Sequence, residues 1–518
     1  GLGISGYTGF NANFWVPIRF REVMFELRDN ISWVRNTHTI RAGFYYRHMR
    51  EDSFNAGYSR GNLSFTGVYS GESFADYLLG YPYSGNRSFP RNLSGIIQHN
   101  ENAYIQDDWK VTPRLTLNLG LRYELNHPAT GLHNQAASLD FLRRRILVSS
   151  DDQGNINLTS QQVSKFAYPM FADVIVPSSK AGLPRTLRLV DANNFAPRVG
   201  AAVQLPHNFV LRSGYGFLYA LEQGNQMVST QMINIPFIAD ELSNFNTRPV
   251  PTKDMTNFFQ PFSTSGFGLG PVFFFDLDPN RRDLYLQQWN FAVQTSIGGA
   301  VSLEAAYVGS KGTKLSFSVP RNVPDPGPGS IQARREWSRF GEGVYLSSMG
   351  NSTYNSLQMK AEVRNRRGFS MLASYTFGKS ISDQSGDNQN SSVQDPRNPR
   401  AEKGRDSWDR RHIFIFSSTY ALPFFGNTSG LVRHVLGGWN VSNVVAMWTG
   451  APFTPGISVD TANTGRSMRP DRIADGRLAQ PTIERWFDPA AFRIPGQYTY
   501  GNSGRNILEG PSTRRWDF

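Results

Sequence analysis

The residues from Leu115 to Leu125 alternate strictly between apolar and polar side chains, and this constrains the fold more than any other stretch of the chain. The odd positions include Leu115, Leu117, Leu119, Leu121 and Tyr123. The even positions include Asn118, Arg122 and Glu124. A period of two is that of a β-strand, whose side chains point alternately to opposite faces. A soluble strand usually has about five or six residues, whereas a tilted membrane-spanning strand needs about 9 to 11. The pattern therefore predicts a membrane-spanning strand, with the odd row facing lipid and the even row facing a lumen.

This strand is the second arm of a hairpin, and the same alternation recurs along most of the chain. Residues 102–126 contain one strand, a tight turn and a second strand, and about a dozen such strands are predicted in total. Turns of about two to four residues separate the arms of a hairpin, whereas loops of dozens of residues separate one hairpin from the next. Propellers and sandwiches do not alternate in this way. The order predicts an all-β fold, an antiparallel transmembrane β-barrel with short periplasmic turns and long extracellular loops.

Composition excludes several other classes of protein. Only 39% of the residues are hydrophobic, and no apolar run approaches the ~18 residues that a transmembrane helix needs. The chain contains no cysteine, which excludes disulfide scaffolds, zinc fingers and thiol enzymes. The net charge is +12, but the basic residues are scattered, and the basic segment 142–146 is interpreted as part of a solvated loop. No nucleic-acid partner is expected.

Several segments of the chain resemble a known family. The run NAYIQDDWKVTPRLTLNLGLRYE at 102–124 resembles a barrel hairpin of TonB-dependent outer-membrane transporters. Further segments resemble the Oar-like subfamily, namely NNFAPRVG at 193–200, QQWN at 287–290, AYVGSKGT at 306–313, ASYTFGKS at 373–380 and WDRRH at 408–412. Members of this family carry an N-terminal regulatory-like β-sandwich, a plug domain, a segment that contacts TonB and a closing aromatic strand. None of these is recognised in the sequence, so the resemblance implies that residues 1–518 form part of a barrel of about 22 strands.

The resemblance implies energy-coupled transport. A ligand captured by the extracellular loops would enter when TonB, driven by the inner-membrane proton gradient, rearranges the plug inside the barrel. TonB would be contacted through the N-terminal region, which is expected to lie outside this sequence. The barrel itself would contact outer-membrane lipid and lipopolysaccharide. The ligand stays open among peptides, glycans, metal chelates and larger proteins, and two alternatives stay open as well, a passive porin-like or structural barrel and a soluble all-β glycan-binding protein.

No residue pattern predicts catalysis or a bound cofactor. The eight histidines include no HExxH pair, and no GxSxG elbow is present, so the protein is not expected to be an enzyme. The segment GSKG at 309–312 lacks the spacing of a P-loop. Asp276, Asp278 and Asn280 have the first spacings of a calcium loop, but Arg281 stands where glycine is needed. A cation bound to this loop stays an open alternative. Tyrosines and tryptophans at strand ends are interpreted as an interfacial girdle rather than as sugar-stacking platforms.

The long loops are the predicted place of ligand recognition. They cover residues 129–196, 221–283 and 380–411, and loops of this length are uncommon unless they are functional or disordered. They mix aromatic with charged side chains, which suits recognition, and the candidates are Phe258, Phe259, Phe274, Arg281 and Asp283. The alternative is a flexible surface fringe without a binding function.

Overall fold

The computed structural model describes residues 1–10, 18–55, 61–88, 94–157, 168–220, 230–237, 240–259, 272–384, 393–424 and 430–518. Its regular elements are almost all β-strands. The first of them are β1 (Leu2–Ile4), β2 (Ile18–Arg35), β3 (His38–Asn55), β4 (Asn62–Phe65), β5 (Ser84–Ser88), β6 (Ser94–Thr112), β7 (Leu115–Asn126), β8 (Thr130–Gly131), β9 (Ala137–Asp140), β10 (Arg145–Val148), β11 (Ile175–Pro177), β12 (Asp191–Gln204) and β13 (Phe209–Tyr219).

The second part of the chain continues this series with strands of very different length. They are β14 (Asp240–Phe245), β15 (Val272–Leu277), β16 (Tyr285–Ile297), β17 (Val301–Arg321), β18 (Phe340–Arg366), β19 (Phe369–Ser382), β20 (Gly404–Arg405), β21 (His412–Ala421), β22 (Asn440–Trp448), β23 (Pro452–Phe453), β24 (Asp471–Arg472), β25 (Phe492–Arg493), β26 (Leu508–Glu509) and β27 (Thr513–Asp517). Two short helices are α1 (Ser73–Leu79) and α2 (Leu431–Leu436). Within the described ranges, no helix is both long and apolar enough to cross a membrane.

One large antiparallel sheet organises the chain. Its path runs in the order β2-β3-β6-β7-β12-β13-β16-β17-β18-β19-β21-β22-β27. Each long strand therefore pairs with the next long strand along the chain, so that hairpin follows hairpin. The short strands β8, β15 and β20 pair with β6, β18 and β19. The antiparallel sheet predicted from the alternating pattern is confirmed.

The connections at one end of the strands differ in length from those at the other end, and the word edge is used here for the row of strand ends on each side. On one edge the chain turns within residues 36–37, 113–114, 205–208, 298–300 and 367–368. One further connection on this edge, 422–439, is longer and contains α2. Gly298 and Gly299 adopt φ values of 59° and 71°, as a tight hairpin turn of this kind requires. The connections on the other edge are much longer, and we call this side the long-loop edge. The predicted alternation of short turns and long loops is confirmed.

The β6–β7 hairpin agrees closely with its prediction from sequence. β7 begins at Leu115, and Leu121 lies opposite Ile105 on β6 and Pro197 on β12. Some strands are longer than predicted, since β17 has 21 residues and β18 has 27. These lengths exceed the 9 to 11 residues of a membrane-spanning strand, so both strands continue beyond a membrane span at the long-loop edge.

The connection between β7 and β12 contains a folded part beside its basic turn. The side chains of Arg143 and Arg144 are 69% and 58% exposed, which agrees with the interpretation of segment 142–146 as solvated. Strands β9, β10 and β11 form a small sheet. In the basic segment 142–146, Ile146 is fully buried whereas Leu142 is 77% exposed. The buried side chains join one cluster that we call the loop body, consisting of Ala137, Leu139, Phe141, Ile146, Val148, Phe171, Ile235, Phe237, Phe274, Trp337 and Phe340. Strands of three or four residues are too short to show a period of two, and for this reason the sequence did not predict them.

Within the described residues, a second small sheet is not hydrogen-bonded to the sheet of β9, β10 and β11. It has the order β1-β4-β5-β14, and α1 contacts β1 and β4. The helix is capped at both ends, because the Glu72 side chain accepts a hydrogen bond from the backbone of Phe74 and Gly80 closes the last turn with a φ of 76°. The segments of this sheet come from residues 1–10, 61–88 and 240–259, so the connections of two different hairpins are joined here.

Candidate functional site

The odd positions of β7 lie on one face of the large sheet, which we call the apolar face. Leu119 and Leu121 are 40% and 45% exposed, and Leu121 shares this face with Ile105. Tyr123 ends the row near the long-loop edge, where its hydroxyl donates to the carbonyl of Ala192 at 2.9 Å. The row as a whole consists of Leu115, Leu117, Leu119, Leu121 and Tyr123.

The even positions of β7 lie on the opposite face, which we call the polar face. Asn118 donates from Nδ2 to Oδ1 of Asp108 at 2.6 Å, and the other oxygen of Asp108 accepts from Arg41 at 2.9 Å. Arg122 donates from Nε to Oε1 of Glu124 at 2.8 Å. These bonds connect β3, β6 and β7 on one face. On this part of the polar face, the charges of Arg41 and Asp108 compensate each other, as do those of Arg122 and Glu124.

A groove of about 650 Å³ crosses the sheet from β7 to β17. Its floor on the polar face is made largely of glycines, namely Gly120, Gly200, Gly214 and Gly216. A Cβ atom on Gly214 would lie only 2.9 Å from Oδ1 of Asn290, so a larger residue would displace the Asn290 amide. Asn118, Arg198 and Gln288 also line the groove. This part of the polar face offers amide and guanidinium groups over a wall that has few bulky side chains.

A buried polar network joins β7, β12 and the start of β16 at the long-loop edge. Arg188 and Asp283 form an ion pair with an N–O distance of 2.7 Å, and their side chains are 6% and 4% exposed. The second oxygen of Asp283 accepts from Asn126 at 3.0 Å and from Asn194 at 2.9 Å. The backbone N–H of Asp283 donates to Asp191 at 3.0 Å. We call these five residues the rim network, and it holds three separate segments together.

The ionisation of Asp283 reflects this environment. Burial raises the pKa of its carboxyl above the ordinary value, while Arg188 acts in the opposite direction by favouring the carboxylate. Breaking a buried pair by removing one partner leaves an uncompensated charge, which is strongly destabilising. The rim network therefore fixes the position at which the long connections leave the sheet.

The loop body has an aromatic centre. Phe274 is 1% exposed, and its ring centroid lies 6.0 Å from that of Phe141 in a stacked arrangement. The ring of Phe340 meets Phe274 edge-on, with centroids 5.7 Å apart. Aromatic pairs of this geometry stabilise a core beyond their buried area. The loop body is thus a folded unit built from three connections of the sheet.

A second aromatic pair lies next to the sheet formed by β1, β4, β5 and β14. Phe258 is 1% exposed and Phe259 is half-buried, and the two rings meet edge-on with centroids 5.2 Å apart. The guanidinium carbon of Arg87 lies 5.0 Å from the ring centroid of Phe259. Lys253 places its Nζ atom 5.3 Å from the centroid of Phe258. Cations at these distances are attracted to the ring faces, so the pair is held between two basic side chains.

Asp276 on β15 is a further buried acid at the long-loop edge. Its Oδ2 atom lies 3.6 Å from Nε of Arg321, whose guanidinium stacks over Tyr345 at 4.3 Å. Burial raises the pKa of Asp276 from 3.8 to about 7, although Arg321 acts to lower it. Asp276 therefore faces an arginine, and nowhere in the described ranges do three His, Cys, Asp or Glu side chains converge as a metal site. The calcium-loop alternative gains no support from this geometry.

Comparison with known families identifies the class of protein. The family of the outer membrane beta barrel domain matches residues 1–518, which is the whole of the chain. The chain belongs to this family. The barrel domain therefore lies in the outer membrane of a Gram-negative bacterium, and the predicted fold class and location are confirmed.

The barrel domain is similar at low sequence identity to solved structures of outer-membrane transporters, and one of them reaches a TM-score of 0.50. The outer membrane transporter YddB from Escherichia coli has a TM-score of 0.50 at 10% identity, covering 96% of this chain and 47% of that chain. The copper transporter OprC has a TM-score of 0.41 at 10% identity, covering 84% and 44%. The ferric yersiniabactin uptake receptor FyuA from Yersinia pestis has a TM-score of 0.37 at 11% identity, covering 87% and 45%. The barrel domain spans less than half the length of these proteins, and no curated protein sequence matches it.

The predicted site residues of the barrel domain lie in separate parts of the structure. The odd and even rows of β7 lie on opposite faces of the sheet, and their assignment to lipid and lumen stays a prediction. The five loop candidates do not form one cluster, and four of them are buried, namely Phe258, Phe274, Arg281 and Asp283. Segments 158–167, 221–229, 238–239, 260–271 and 385–392 of the predicted ligand loops lie outside the described residues.

Sequence reasoning missed most of the rim network and the partner of Asp276. Arg188 stands 95 positions from Asp283, and Asn126 stands 157 positions from it. Arg321 stands on β17, in a different hairpin from Asp276. No local pattern marks such partners, because strand pairing at the long-loop edge, including the parallel pairing of β15 with β18, brings them together only in the folded sheet.

Proposed function

We propose that the barrel domain forms the wall of a TonB-dependent transporter of the Oar-like subfamily, which takes up a large or scarce ligand with energy supplied through TonB. Membership of the outer membrane beta barrel domain family and sequence segments from 102 to 412 that resemble this subfamily support the proposal. The observation that carries it is a sheet with a grooved polar face and a folded loop body at one edge. A ligand that is captured outside and passed along a polar lumen requires both features.

The two faces of the sheet have different roles in this proposal. The apolar face, with the row from Leu115 to Tyr123, would contact outer-membrane lipid and lipopolysaccharide. The polar face, with Asn118, Arg122 and Glu124, would line the lumen. The compensated charges of the polar face support this assignment, because an ionised side chain turned towards hydrocarbon costs about 2 to 4 kcal/mol near the midplane.

We place ligand recognition on the long connections, where some of the candidate residues would contact the ligand and others would support the structure around it. Phe259 is half-buried and lies beside Arg87, so this pair has an accessible aromatic and basic surface. Phe274, Arg281 and Asp283 are buried, and they would support recognition by holding the loop body and the rim network in shape. A folded loop body argues against a flexible fringe, since a ligand meets a preformed surface at a lower entropic cost.

Two measurements on the full-length protein separate the transporter from a passive porin-like barrel. A transporter keeps its lumen closed until TonB acts, so the purified protein should give no steady conductance in a planar lipid bilayer. It should also bind the purified periplasmic domain of TonB in a pull-down assay. A stable open channel together with no binding to TonB would contradict the proposal and favour the passive barrel.

The proposed orientation is testable because the chain has no cysteine of its own. Val250, which is 68% exposed, lies in a long connection, and Arg114 lies in the turn between β6 and β7. A Val250→Cys variant should react with a membrane-impermeant maleimide on intact cells. An Arg114→Cys variant should react only after the outer membrane has been permeabilised. The reverse pattern would place the long-loop edge in the periplasm and refute the orientation.

A further inference from the structure

Three histidines lie side by side on the apolar face near the long-loop edge. His48 on β3 and His99 on β6 are directly opposite each other in the antiparallel register, so their side chains share one face of the sheet. His127 follows the end of β7, and its backbone N–H donates to the carbonyl of His99 at 3.1 Å. The Nε2 atom of His127 lies 3.8 Å from a carboxylate oxygen of Glu101. The imidazoles of His48, His99 and His127 therefore lie at neighbouring register positions of the sheet.

The geometry of His48 and His99 fits two ligands of one metal ion. Their Nδ1 atoms are 3.3 Å apart, and their ring centroids are 4.7 Å apart with an angle of 57° between the planes. Two nitrogens bound to zinc at about 2.0 to 2.1 Å with a tetrahedral angle are also about 3.3 Å apart. An ion at this bonding distance from both nitrogens would lie to one side of the line that joins them, and the separation of the nitrogens would not have to change.

We propose that His48 and His99 bind one divalent transition metal ion between their Nδ1 atoms on the outer wall of the barrel domain. The hydroxyl oxygen of Tyr46 lies 3.1 Å from Nδ1 of His99 and is the next donor available to the ion. Both imidazoles are half-buried, so the sheet holds them in place while water reaches the remaining coordination positions. Imidazole suits zinc, nickel and copper, and the Irving–Williams order gives Cu²⁺ the highest affinity among them.

Without a metal, the two Nδ1 atoms are within hydrogen-bond distance of each other, and the pairing of two imidazoles distinguishes this place from a single histidine in the same wall. His412 also lies on the apolar face, and its Nδ1 atom is 2.7 Å from the hydroxyl of Tyr375, but it faces Phe377 rather than a second imidazole across the strands. The described residues contain no set of three His, Cys, Asp or Glu ligands. The proposed site therefore depends on two imidazoles, and removing either one should weaken metal binding severely.

The test uses the full-length protein, purified in detergent and stripped of metal with a chelator, and Cu²⁺ as the probe. Electron paramagnetic resonance should show one tightly bound Cu²⁺ per chain, coupled to two imidazole nitrogens. His48→Gln and His99→Gln should each weaken Cu²⁺ binding by about 10- to 100-fold or more, since even the loss of a residue that only orients a ligand has an effect of that size. His412→Gln is the matched control and should bind Cu²⁺ as the wild type does. Heat-modifiable mobility in gel electrophoresis reports whether each variant is folded.

A second measurement does not depend on the variants. Diethylpyrocarbonate should modify His48 and His99 of the wild-type protein in the absence of metal, and Zn²⁺ should protect both without protecting His412. Equal Cu²⁺ affinity in the wild type, His48→Gln and His99→Gln would overturn the proposal. Modification of His48 and His99 at the same rate with and without Zn²⁺ would overturn it as well.

Discussion

We expect the docking of β15 on β18 to depend on pH because of the buried carboxyl of Asp276. Asp276 lies opposite Tyr345 in the parallel pairing of these strands, and the neighbouring side chains Phe275, Leu277, Val344 and Leu346 form a buried cluster. Burial raises the pKa of the carboxyl from 3.8 to about 7. Opening of β15 would return the carboxyl to water and to its ordinary pKa, so protons and opening are linked.

The sign and size of the effect follow from the direction of this shift. Below about pH 4 the carboxyl is protonated in the docked and the opened state, and the docked state has its full stability. As the pH rises to about 7, the opened state loses its proton while the docked state keeps it, so the free energy of opening falls. A shift of about three units at 1.36 kcal/mol per unit amounts to a loss of up to about 4 kcal/mol. Above about pH 7 the stability should no longer change from this cause.

Hydrogen exchange of the backbone amides measures this opening directly. After correction for intrinsic rates, the opening free energy of residues 272–277 should fall by about 1.4 kcal/mol per unit between pH 5 and pH 7. Asp276→Asn should remove this slope and should be better protected than the wild type at pH 8. Asp475→Asn is the control, because Asp475 is an exposed partner of Arg472 and should leave the slope unchanged. A wild-type slope of zero, or an equal slope in Asp276→Asn, would refute the reasoning.

Further changes test the wall, the rim network and the loop body. Leu119→Arg should destabilise the inserted barrel by about 2 to 4 kcal/mol, whereas Asn118→Arg should fold with a yield close to that of the wild type. Equal folding yields of the two variants would argue against the assignment of the two faces to lipid and lumen. Asp283→Asn should lower the free energy of unfolding by about 3 to 5 kcal/mol, because Arg188 stays buried without a counter-charge. Asp475→Asn is the control and should lower the free energy of unfolding by less than about 1 kcal/mol. Denaturant titration measures both values. Phe340→Ala should destabilise the loop body by about 3 to 5 kcal/mol. A protease should then cut the long connections faster, while the barrel stays folded in detergent. Unchanged proteolysis would mean that the loop body does not need this aromatic centre.

Features that depend on local pattern could be predicted from the sequence. Successive residues of a strand point to opposite faces, so the alternation around Leu119 and Asn118 was sufficient to assign β7 and its two rows. Turn residues such as Gly298 and Gly299 marked the short connections in the same way. The order of short and long connections then gave the antiparallel sheet without any knowledge of tertiary contacts.

Features that depend on distant partners could not be predicted in this way. Phe274 was recognised as a candidate, but its burial against Phe141 and Phe340 follows from a parallel pairing of β15 with β18. His48 and His99 are 51 positions apart, and only the register of β3 against β6 brings their imidazoles together. A shift of that register by one residue would place them on opposite faces, so their proximity is a property of the folded sheet.

A scan of single cysteines along β7 tests the central claim most directly. Spin labels would be attached one at a time at positions 115–125 of the full-length protein in lipid vesicles; residues 1–518 contain no cysteine, and any cysteine elsewhere in the protein is replaced by serine so that only the chosen site is labelled. Oxygen, which is concentrated in lipid, should collide most often with labels at the odd positions, and a water-soluble nickel complex should collide most often with labels at the even positions. This period of two is the result that a barrel wall predicts. Accessibility without alternation, or with the odd positions facing water, would contradict the assignment of the two faces and with it the barrel wall proposed for this chain.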